Sequence, residues 1–365
     1  MGVSLEEQSL GGLRWLVLRG PAEQAFASLG SRLRAEIRDI VDNWPGMAGL
    51  RRHTASPPGS DLLAAVRRAS EARFPGIWRE LAAMAEGAEV ALDDLALLNF
   101  RGDLGTVRLG AADDHSGCSD LAWRGRRSFL AHNEDQAVFF AGRAVMLSLE
   151  LDGQPPMATF WVPGFLPGNT FTVTGAGLAW SLDHLPVSSP GNGAGRHFVA
   201  RGLQRTAGTI SRALEYLREH PSAGGFAYTI GDRAGRLVIA EAAAGQFAWR
   251  EVGLDGPLTW HTNHGRYISG AAASAGGTSI QRGEVLAALQ PPSGEPDAAW
   301  FARILAEAPP PAGVRADPAP PTQAATMCTF IASFTDGCAY LQPRDSPAVS
   351  IPLTDLVHGT ASTKA

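Results

Sequence analysis

The sequence lacks both a long apolar segment and a cluster of basic residues. Its amino-terminal apolar run, LRWLVL, is short and interrupted, and no stretch reaches the roughly 18 apolar residues of a transmembrane helix. The 31 lysines and arginines are scattered, and the formal net charge is −5. Scattered positive charge makes no patch for nucleic-acid phosphates or for an anionic membrane surface. We therefore expect no nucleic-acid partner and no membrane partner.

Cysteine is also scarce, with only Cys118, Cys328 and Cys338 in 365 residues. Three thiols cannot all pair, and a chain of this length does not need disulfides for stability. Near the amino terminus, two glutamates stand where a signal peptide would carry positive charge. These features predict a protein of the reducing cytoplasm.

What is present is globular, with 45% hydrophobic and 18% charged residues. From Ala22 to about Leu104, apolar residues recur at helical spacings of three, four and seven. After Gly117 the pattern changes to short strand-like segments such as RSFLAHNED and AVMLSLEL, with one helical segment, RTAGTISRALEYLREH, and two hairpins. Strands grouped in this way predict an α+β layered domain rather than alternating βαβ units.

One cysteine stands between a glycine and a serine, in the segment DDHSGCSDLAW. A nucleophilic thiol needs a base, oxyanion donors and a group that orients the base. If the bond between Gly117 and Cys118 is cleaved, the new α-amine has a pKa of about 7.7–8.0, close to the working pH of a general base. Glycine leaves the scissile carbonyl open to attack by the thiol in an N-to-S acyl shift. The alternative is that this cysteine is a small buried hydrophobe.

Five motifs, in their order along the chain, resemble the isopenicillin N acyltransferase family of N-terminal-nucleophile hydrolases, which has bile-salt hydrolases and penicillin V acylases as distant relatives. They are LAAMAEGAEVALDDLALLN, Gly-Cys-Ser followed by AHNED, FLPGNTFTVTGAGLAWSLDHLP, WHTNHGRY and TSIQRGEVLAAL. The resemblance extends over nearly the whole chain. It implies a four-layer αββα fold with a helical N-terminal segment. It also implies self-cleavage into a mainly helical chain, 1–117, and a β-rich catalytic chain, 118–365, that stay in one folded unit.

The resemblance assigns a role to each of five residues. Cys118 is the nucleophile of both self-cleavage and turnover, and Asp135 accepts a hydrogen bond from its freed amine. Asn263 donates its amide to the oxyanion, together with a backbone N–H near Asp183. Arg282 faces Asp135 and the thiol, where its charge favours the thiolate. These groups supply the parts that acyl transfer requires.

Two positions depart from the family pattern. Glu134 stands where the family commonly has an aromatic residue, which predicts a changed pocket wall. Asp183 stands where relatives commonly carry asparagine. Because that position is expected to contribute its backbone, the change is compatible with activity, and the added carboxylate disfavours anionic substrates.

The predicted function is to hydrolyse or transfer the acyl group of a small linear amide through an acyl-thioester on Cys118. Water is the favoured acceptor because it is always present; an acyl-CoA or an amine acceptor is left open as a further partner, beside the protein's own N-terminal fragment. No cofactor and no metal are predicted. His261 and His264 lie three apart without a nearby cysteine or glutamate, which is a weak zinc signal.

Two other functions remain open at this stage. The first is an uncleaved cysteine hydrolase that uses a histidine as its base; the candidates are His184, His197, His261 and His264. The second is a binding module without activity on the same fold. In the second case Asp135 is a turn or cap residue, Arg282 lies on a solvated helix face, and Asn263 bonds its own loop.

Overall fold

The computed structural model describes residues 2–105, 117–254, 256–268, 278–318 and 324–360. Six helices in the first of these ranges make up most of the N-terminal part. They are α1 Ala22–Arg32, α2 Arg34–Asn43, α3 Pro45–Thr54, α4 Gly59–Arg73, α5 Pro75–Ala88 and α6 Leu92–Asn99. Five more follow the nucleophile segment. They are α7 Arg196–Thr206, α8 Ile210–Glu219, α9 Ser279–Ala287, α10 Ala298–Ala306 and α11 Leu353–His358.

Nine of the described strands form one sheet in the order β1-β2-β5-β6-β7-β8-β9-β10-β11. They are β1 Ser4–Leu10, β2 Leu13–Gly20, β5 Val145–Leu151, β6 Met157–Trp161, β7 Thr172–Thr174, β8 Leu178–His184, β9 Gly225–Asp232, β10 Leu237–Ala243 and β11 Gln246–Glu251. Six others form a second, antiparallel sheet in the order β12-β3-β4-β13-β14-β15. They are β3 Ser119–Arg124, β4 Ser128–Ala137, β12 Leu258–His261, β13 Ala324–Ser333, β14 Cys338–Pro343 and β15 Val349–Pro352.

The two sheets face each other, and each carries helices on its other face. On β8 and β9, the side chains of Ser181 and Thr229 reach across to Asp120 of β3. Their strand neighbours point the opposite way, as the period of two requires. Helix α8 packs on β9 and β10, while α10 packs on β4 and β13. The predicted αββα layering is therefore confirmed.

The amino-terminal strands were not predicted. β1 and β2 form a hairpin, and β2 pairs with β5 in parallel. From Trp15 to Leu18 every residue is fully buried, since α1 packs on β2 and the side chain of Val17 lies against Gly359, at the end of α11. A strand buried on both faces shows a continuous apolar run without alternation, which sequence periodicity alone does not identify.

The predicted elements after Gly117 are present. RTAGTISRALEYLREH contains α8, TSIQRGEVLAAL contains α9, and the two predicted hairpins are β9–β10 and β13–β14. Among the described residues, no helix is both long and apolar enough to cross a membrane. The step from Gly117 to Cys118 lies at the entrance to β3, at one end of the space between the sheets.

Candidate active site

Cys118 stands immediately before β3 and is 7% exposed. Its thiol lies 3.8 Å from the backbone oxygen of Asp135, to which it donates a weak hydrogen bond. The α-carbon of Gly117 lies against the side chain of Asn263, because a Cβ built at position 117 would overlap that carboxamide. Glycine is therefore the residue that the site accommodates at this position, and the peptide bond before Cys118 lies beside Asn263.

Arg282, on α9, ties together the groups around this peptide. One terminal nitrogen donates to the backbone oxygen of Cys118 and, at 2.8 Å, to the hydroxyl of Ser119. The other donates to Oδ1 of Asn263 at 2.7 Å. Nε donates to Thr278 at 3.1 Å. The guanidinium is 1% exposed, so its charge is fixed within the site, where it holds the backbone of the nucleophile and the amide of Asn263.

The orientation of the Asn263 amide follows from its partners. Oδ1 must be the atom that faces Arg282, because a guanidinium only donates. Nδ2 donates to the backbone oxygen of His184 at 3.0 Å. An amide nitrogen carries two hydrogens, so one N–H of Asn263 remains for another acceptor. The side chain can therefore donate to an oxyanion without giving up either contact.

The register of β8 separates the backbone of Asp183 from that of His184. The N–H of Leu185 donates to the oxygen of Gly225. Antiparallel pairs alternate between bonded and non-bonded, so Asp183, which lies opposite Ala227, is bonded within the ladder. The N–H and C=O of His184 then point away from β9, on the side where Asn263 binds. In the predicted Asp183 region, the N–H on the open side is that of His184.

Asp135 lies in β4 and is 7% exposed. Its Oδ1 accepts a hydrogen bond from the hydroxyl of Thr326 at 2.6 Å, and that hydroxyl also accepts from the N–H of Ala316 at 2.9 Å. The carboxylate is thus held from β13, across the strand pair. Its backbone oxygen contacts the thiol, which places Asp135 beside the end of the chain that cleavage before Cys118 would free.

His132 is the residue of this site that the sequence analysis missed. It lies opposite Asp120 in the β3–β4 pair, and its Nδ1 is 2.7 Å from the Asp120 carboxylate. Its Nε2 is 3.1 Å from Glu134, two residues along the same strand face. The ring, the thiol of Cys118 and the carboxylate of Glu134 bring a nitrogen, a sulfur and an oxygen within 4.8 Å of one another. An imidazole therefore lies beside the predicted nucleophile.

Burial and neighbouring groups shift the pKa values of Cys118 and His132. Burial raises the pKa of the Cys118 thiol to about 12, and Glu134 adds to that rise while His132 opposes it. Burial lowers the pKa of His132, but the charge of Asp120 and the hydrogen bonds to Asp120, Cys118 and Glu134 raise it well above its ordinary value. The surroundings therefore make His132 a stronger base than an isolated imidazole, while burial disfavours the thiolate of Cys118.

The four histidines weighed from the sequence have other partners. His261 lies between Asp183 and Glu241, at 3.0 and 2.9 Å. His264 binds Thr262 and Ser279. His197 binds Asn99 and Arg101, and the backbone of His184 binds Asn263. Among the contacts described for these four residues, none is with the Cys118 thiol.

The site also contains donor atoms that metals use. Cys118, His132 and Glu134 form one such group, and Asp120, His132 and Asp183 form another. Both ring nitrogens of His132 are already hydrogen-bonded to carboxylates. Hydrogen bonding therefore explains the position of the ring between Asp120 and Glu134.

A cavity of about 390 Å³ lies elsewhere, between the turn after β7 and helix α11. Its lining includes Gly177, Arg233, Phe334 and His358. The predicted site residues do not line it. The chemistry-bearing side chains are thus concentrated at the buried entrance to β3, and this cavity is separate from them.

Solved structures that this chain resembles include a conjugated bile acid hydrolase and a penicillin V acylase. A variant of conjugated bile acid hydrolase from Clostridium perfringens is 11% identical, with 65% of this chain and 93% of that chain covered and a TM-score of 0.46. Penicillin V acylase from Agrobacterium tumefaciens is 12% identical, with 67% and 89% covered and a TM-score of 0.40. No curated protein sequence matches this chain.

A family model gives the decisive comparison. The model described as acyl-coenzyme A:6-aminopenicillanic acid acyl-transferase matches residues 123–345, which is more than half of the chain. The match begins shortly after Cys118 and includes Asp135, Asn263 and Arg282. The chain therefore belongs to the acyl-coenzyme A:6-aminopenicillanic acid acyl-transferase family, and it is an enzyme of acyl transfer or amide hydrolysis.

Proposed function

We propose that the chain cleaves itself between Gly117 and Cys118, and that the new amino-terminal cysteine then cleaves linear amides through an acyl-thioester. The observation that carries this proposal is the contact of Gly117 with the Asn263 carboxamide. It sets the peptide bond before the nucleophile against a side chain that can stabilise an oxyanion. The products of self-cleavage are residues 1–117 and residues 118–365, held together by the shared core.

The proposed oxyanion donors are the second N–H of Asn263 and the backbone N–H of His184. Both come from groups that other contacts hold in place, since Asn263 is fixed by Arg282 and by the His184 carbonyl. Donors that are already oriented stabilise developing charge without reorganisation, and loss of one typically costs about 10²–10³ in kcat. Arg282 is assigned to positioning, because its described contacts are with the backbone of Cys118, Ser119, Thr278 and Asn263.

In turnover the base is the freed α-amine of Cys118. Asp135 accepts a hydrogen bond from this amine and holds it toward the thiol, while Thr326 holds Asp135. The amine takes the thiol proton when sulfur attacks the substrate carbonyl, and it returns that proton to the leaving amine. Water then hydrolyses the thioester. The proposed substrate is a small linear amide, the acceptor is water, and the site of action is the cytoplasm.

Intact-mass measurement of the purified chain, with sequencing of any new amino terminus, tests this function. We expect two fragments, with the second starting at Cys118. Cys118→Ala should remain a single chain because no nucleophile is left, whereas Cys118→Ser should cleave more slowly. A new amino terminus at any other residue would contradict the proposal.

The contact between Cys118 and His132 supports a second candidate, an uncleaved cysteine–histidine hydrolase. Asp120 would then orient His132, as the third member of a catalytic triad does. The same mass measurement separates the two candidates. A wild-type chain that stays intact while it hydrolyses N-acyl p-nitroanilides would favour this second mechanism.

A further inference from the structure

Self-cleavage and turnover place different demands on the base. Before cleavage the nitrogen of Cys118 is an amide, which carries no lone pair available to a proton at neutral pH. The α-amine that serves turnover therefore does not yet exist when the thiol must first attack Gly117. The uncut chain needs another group to take the thiol proton, and this requirement follows directly from the proposed function.

We propose that His132 is the catalytic base and acid of self-cleavage, and that its role passes to the α-amine of Cys118 once the chain is cut. This proposal rests on the proposed self-cleavage. His132 is not one of the four histidines that the sequence suggested as a base. It gives the enzyme one nucleophile and two successive proton carriers.

The geometry supplies the contact. A ring nitrogen of His132 lies within 4.8 Å of the Cys118 sulfur. Nδ1 is held by Asp120 at 2.7 Å. Nε2 lies 3.1 Å from Glu134, which belongs to the same group of atoms as the Cys118 sulfur, so we assign the exchange of the thiol proton to Nε2, where it replaces the longer contact with Glu134. Asp120 is itself fixed by the hydroxyls of Ser181 and Thr229. The ring therefore cannot easily turn, and its orientation is set from both sheets.

The charges around the ring favour its protonated form. The titratable groups that face it are Asp120 from β3, Glu134 from its own strand, Asp183 from β8, Cys118 before β3 and Cys328 from β13. Three of these five are carboxyl groups, and two of them bond the ring directly. Once the ring has lost its proton, these carboxyl groups make it a stronger base toward the thiol than an isolated imidazole.

The step balances without any added reactant. The sulfur of Cys118 gives its proton to Nε2 of His132 and forms a bond to the carbonyl carbon of Gly117. The imidazolium then gives the proton to the nitrogen of Cys118 as the C–N bond breaks. The products are a thioester between Gly117 and Cys118 and a free α-amine, so the net result is transfer of the acyl group from nitrogen to sulfur and of one proton from sulfur to nitrogen. Water hydrolyses the thioester and restores the thiol.

The rate of self-cleavage should depend on pH in a way that identifies the ring. The reactive form has lost one proton from the pair, so the rate rises with pH through the pKa of His132, which lies well above its ordinary value. Above that pKa the rate should level off. Without the ring, deprotonation depends on the thiol alone, whose pKa is raised by burial to about 12 even with His132 present. No plateau should then appear below that pH.

The experiment follows the uncut chain after cell-free synthesis, by intact mass over time at several pH values. The variants are His132→Asn and His132→Gln, and the matched control is His197→Asn. His197 is equally buried and has partners on both ring nitrogens, but it lies outside the proposed machinery. We expect the His132 variants to cleave about 10²–10⁴-fold more slowly, the usual range for loss of general acid–base catalysis, and the control to cleave at the wild-type rate.

Two further measurements separate catalysis from folding. Hydroxylamine attacks thioesters, so it should not accelerate cleavage of the His132 variants if the acyl shift itself is blocked. Residues 118–365 carrying His132→Asn, co-expressed with residues 1–117 and freed of the initiator methionine so that Cys118 is the first residue, should react with iodoacetamide at Cys118 within about tenfold of the wild-type rate, because the α-amine then serves as base.

The outcomes are distinguishable. A wild-type chain that never cleaves refutes self-cleavage and leaves His132 without this role. A wild-type chain that cleaves, beside a His132 variant that cleaves within threefold of it with the same pH plateau, refutes only the role of His132. Acceleration of the variants by hydroxylamine would also refute it, since the acyl shift would then proceed without the ring.

Discussion

His132 and His261 have nearly the same surroundings, but they differ in whether they contact the Cys118 thiol. They occupy the two strands on either side of β3, and each lies opposite Asp120 in its strand pair. Each is fully buried between two carboxylates: Asp120 and Glu134 hold the first, and Asp183 and Glu241 hold the second. Only the first of these two rings has a described contact with the thiol. A buried histidine between two carboxylates can therefore take part in catalysis on one strand and stabilise the structure on another.

The second partner of each ring explains the difference. Glu241, beside His261, also accepts hydrogen bonds from the backbone of Arg266, Tyr267 and Ile268. That carboxylate fixes the loop after β12, which carries Asn263. Glu134, beside His132, accepts instead from the side chain of Gln136 and borders the sulfur of Cys118. The His261 cluster thus acts on the chemistry only through the loop that it holds.

The largest effect is expected at Asn263, which lies on the loop held by the His261 cluster and is the proposed oxyanion donor. Asn263→Ala should lower kcat by about 10²–10³ with little change in KM, because one oxyanion donor is lost. Asn263→Asp should be at least as harmful, since it places negative charge where negative charge develops. Steady-state kinetics of the processed enzyme on N-acyl p-nitroanilides measure both. A processed, folded Asn263→Ala enzyme with wild-type kcat would leave Asn263 a structural residue.

A stability measurement isolates His261. Burial lowers the pKa of His261, but its bonds to Asp183 and Glu241 raise it to about 9. A raised folded-state pKa gives stability that is full below the unfolded value of about 6.5 and is lost as pH rises to 9, on the order of 3 kcal/mol. Urea unfolding of the uncleaved Cys118→Ala chain at pH 6.5 and 9 measures this loss. The double variant with His261→Asn should lose less stability over that range, and an identical loss would contradict the assignment.

Asp120→Asn tests the role of His132 in self-cleavage. Removing the carboxylate from Nδ1 lowers the pKa of the ring and makes it a weaker base. The pH at which self-cleavage reaches half its maximum should move down, and the maximal rate should fall by about tenfold. Intact-mass time courses across pH record both changes. An unchanged midpoint would show that the titrating group is not the ring that Asp120 holds.

The smallest effect is expected at Thr326, which belongs to neither histidine cluster and donates to Asp135. Thr326→Val removes the hydroxyl that donates to Asp135, at a cost of about 1 kcal/mol, or roughly fivefold in kcat/KM of the processed enzyme. Thr326→Ser keeps the hydroxyl and should be close to wild type. Equal losses in the two variants would indicate a packing effect rather than support of Asp135.

The sequence predicts the layered architecture and most strands after Gly117, because those segments are short, rich in apolar residues and bounded by glycine and proline. It does not reveal β2, which is buried on both faces. It also leads to His261 and His264 and not to His132. The missing information is register: a hairpin centred on Arg126 brings Asp120 opposite His132, and a single sequence rarely fixes such a pairing. Glu134 was expected to change the pocket wall, and it lies against the ring beside the nucleophile.

The contact of Gly117 with Asn263 has a consequence for the first reaction after the chain folds. Under the proposed self-cleavage, a newly folded chain holds its own backbone in the acyl position and is a covalently tethered enzyme–substrate complex, whose effective substrate concentration no free amide can match. The first turnover that this proposal predicts is therefore on the chain itself. The carboxylate of Gly117 would then remain close by as a product, and departure of this end of the N-terminal fragment would determine when the first external amide can enter.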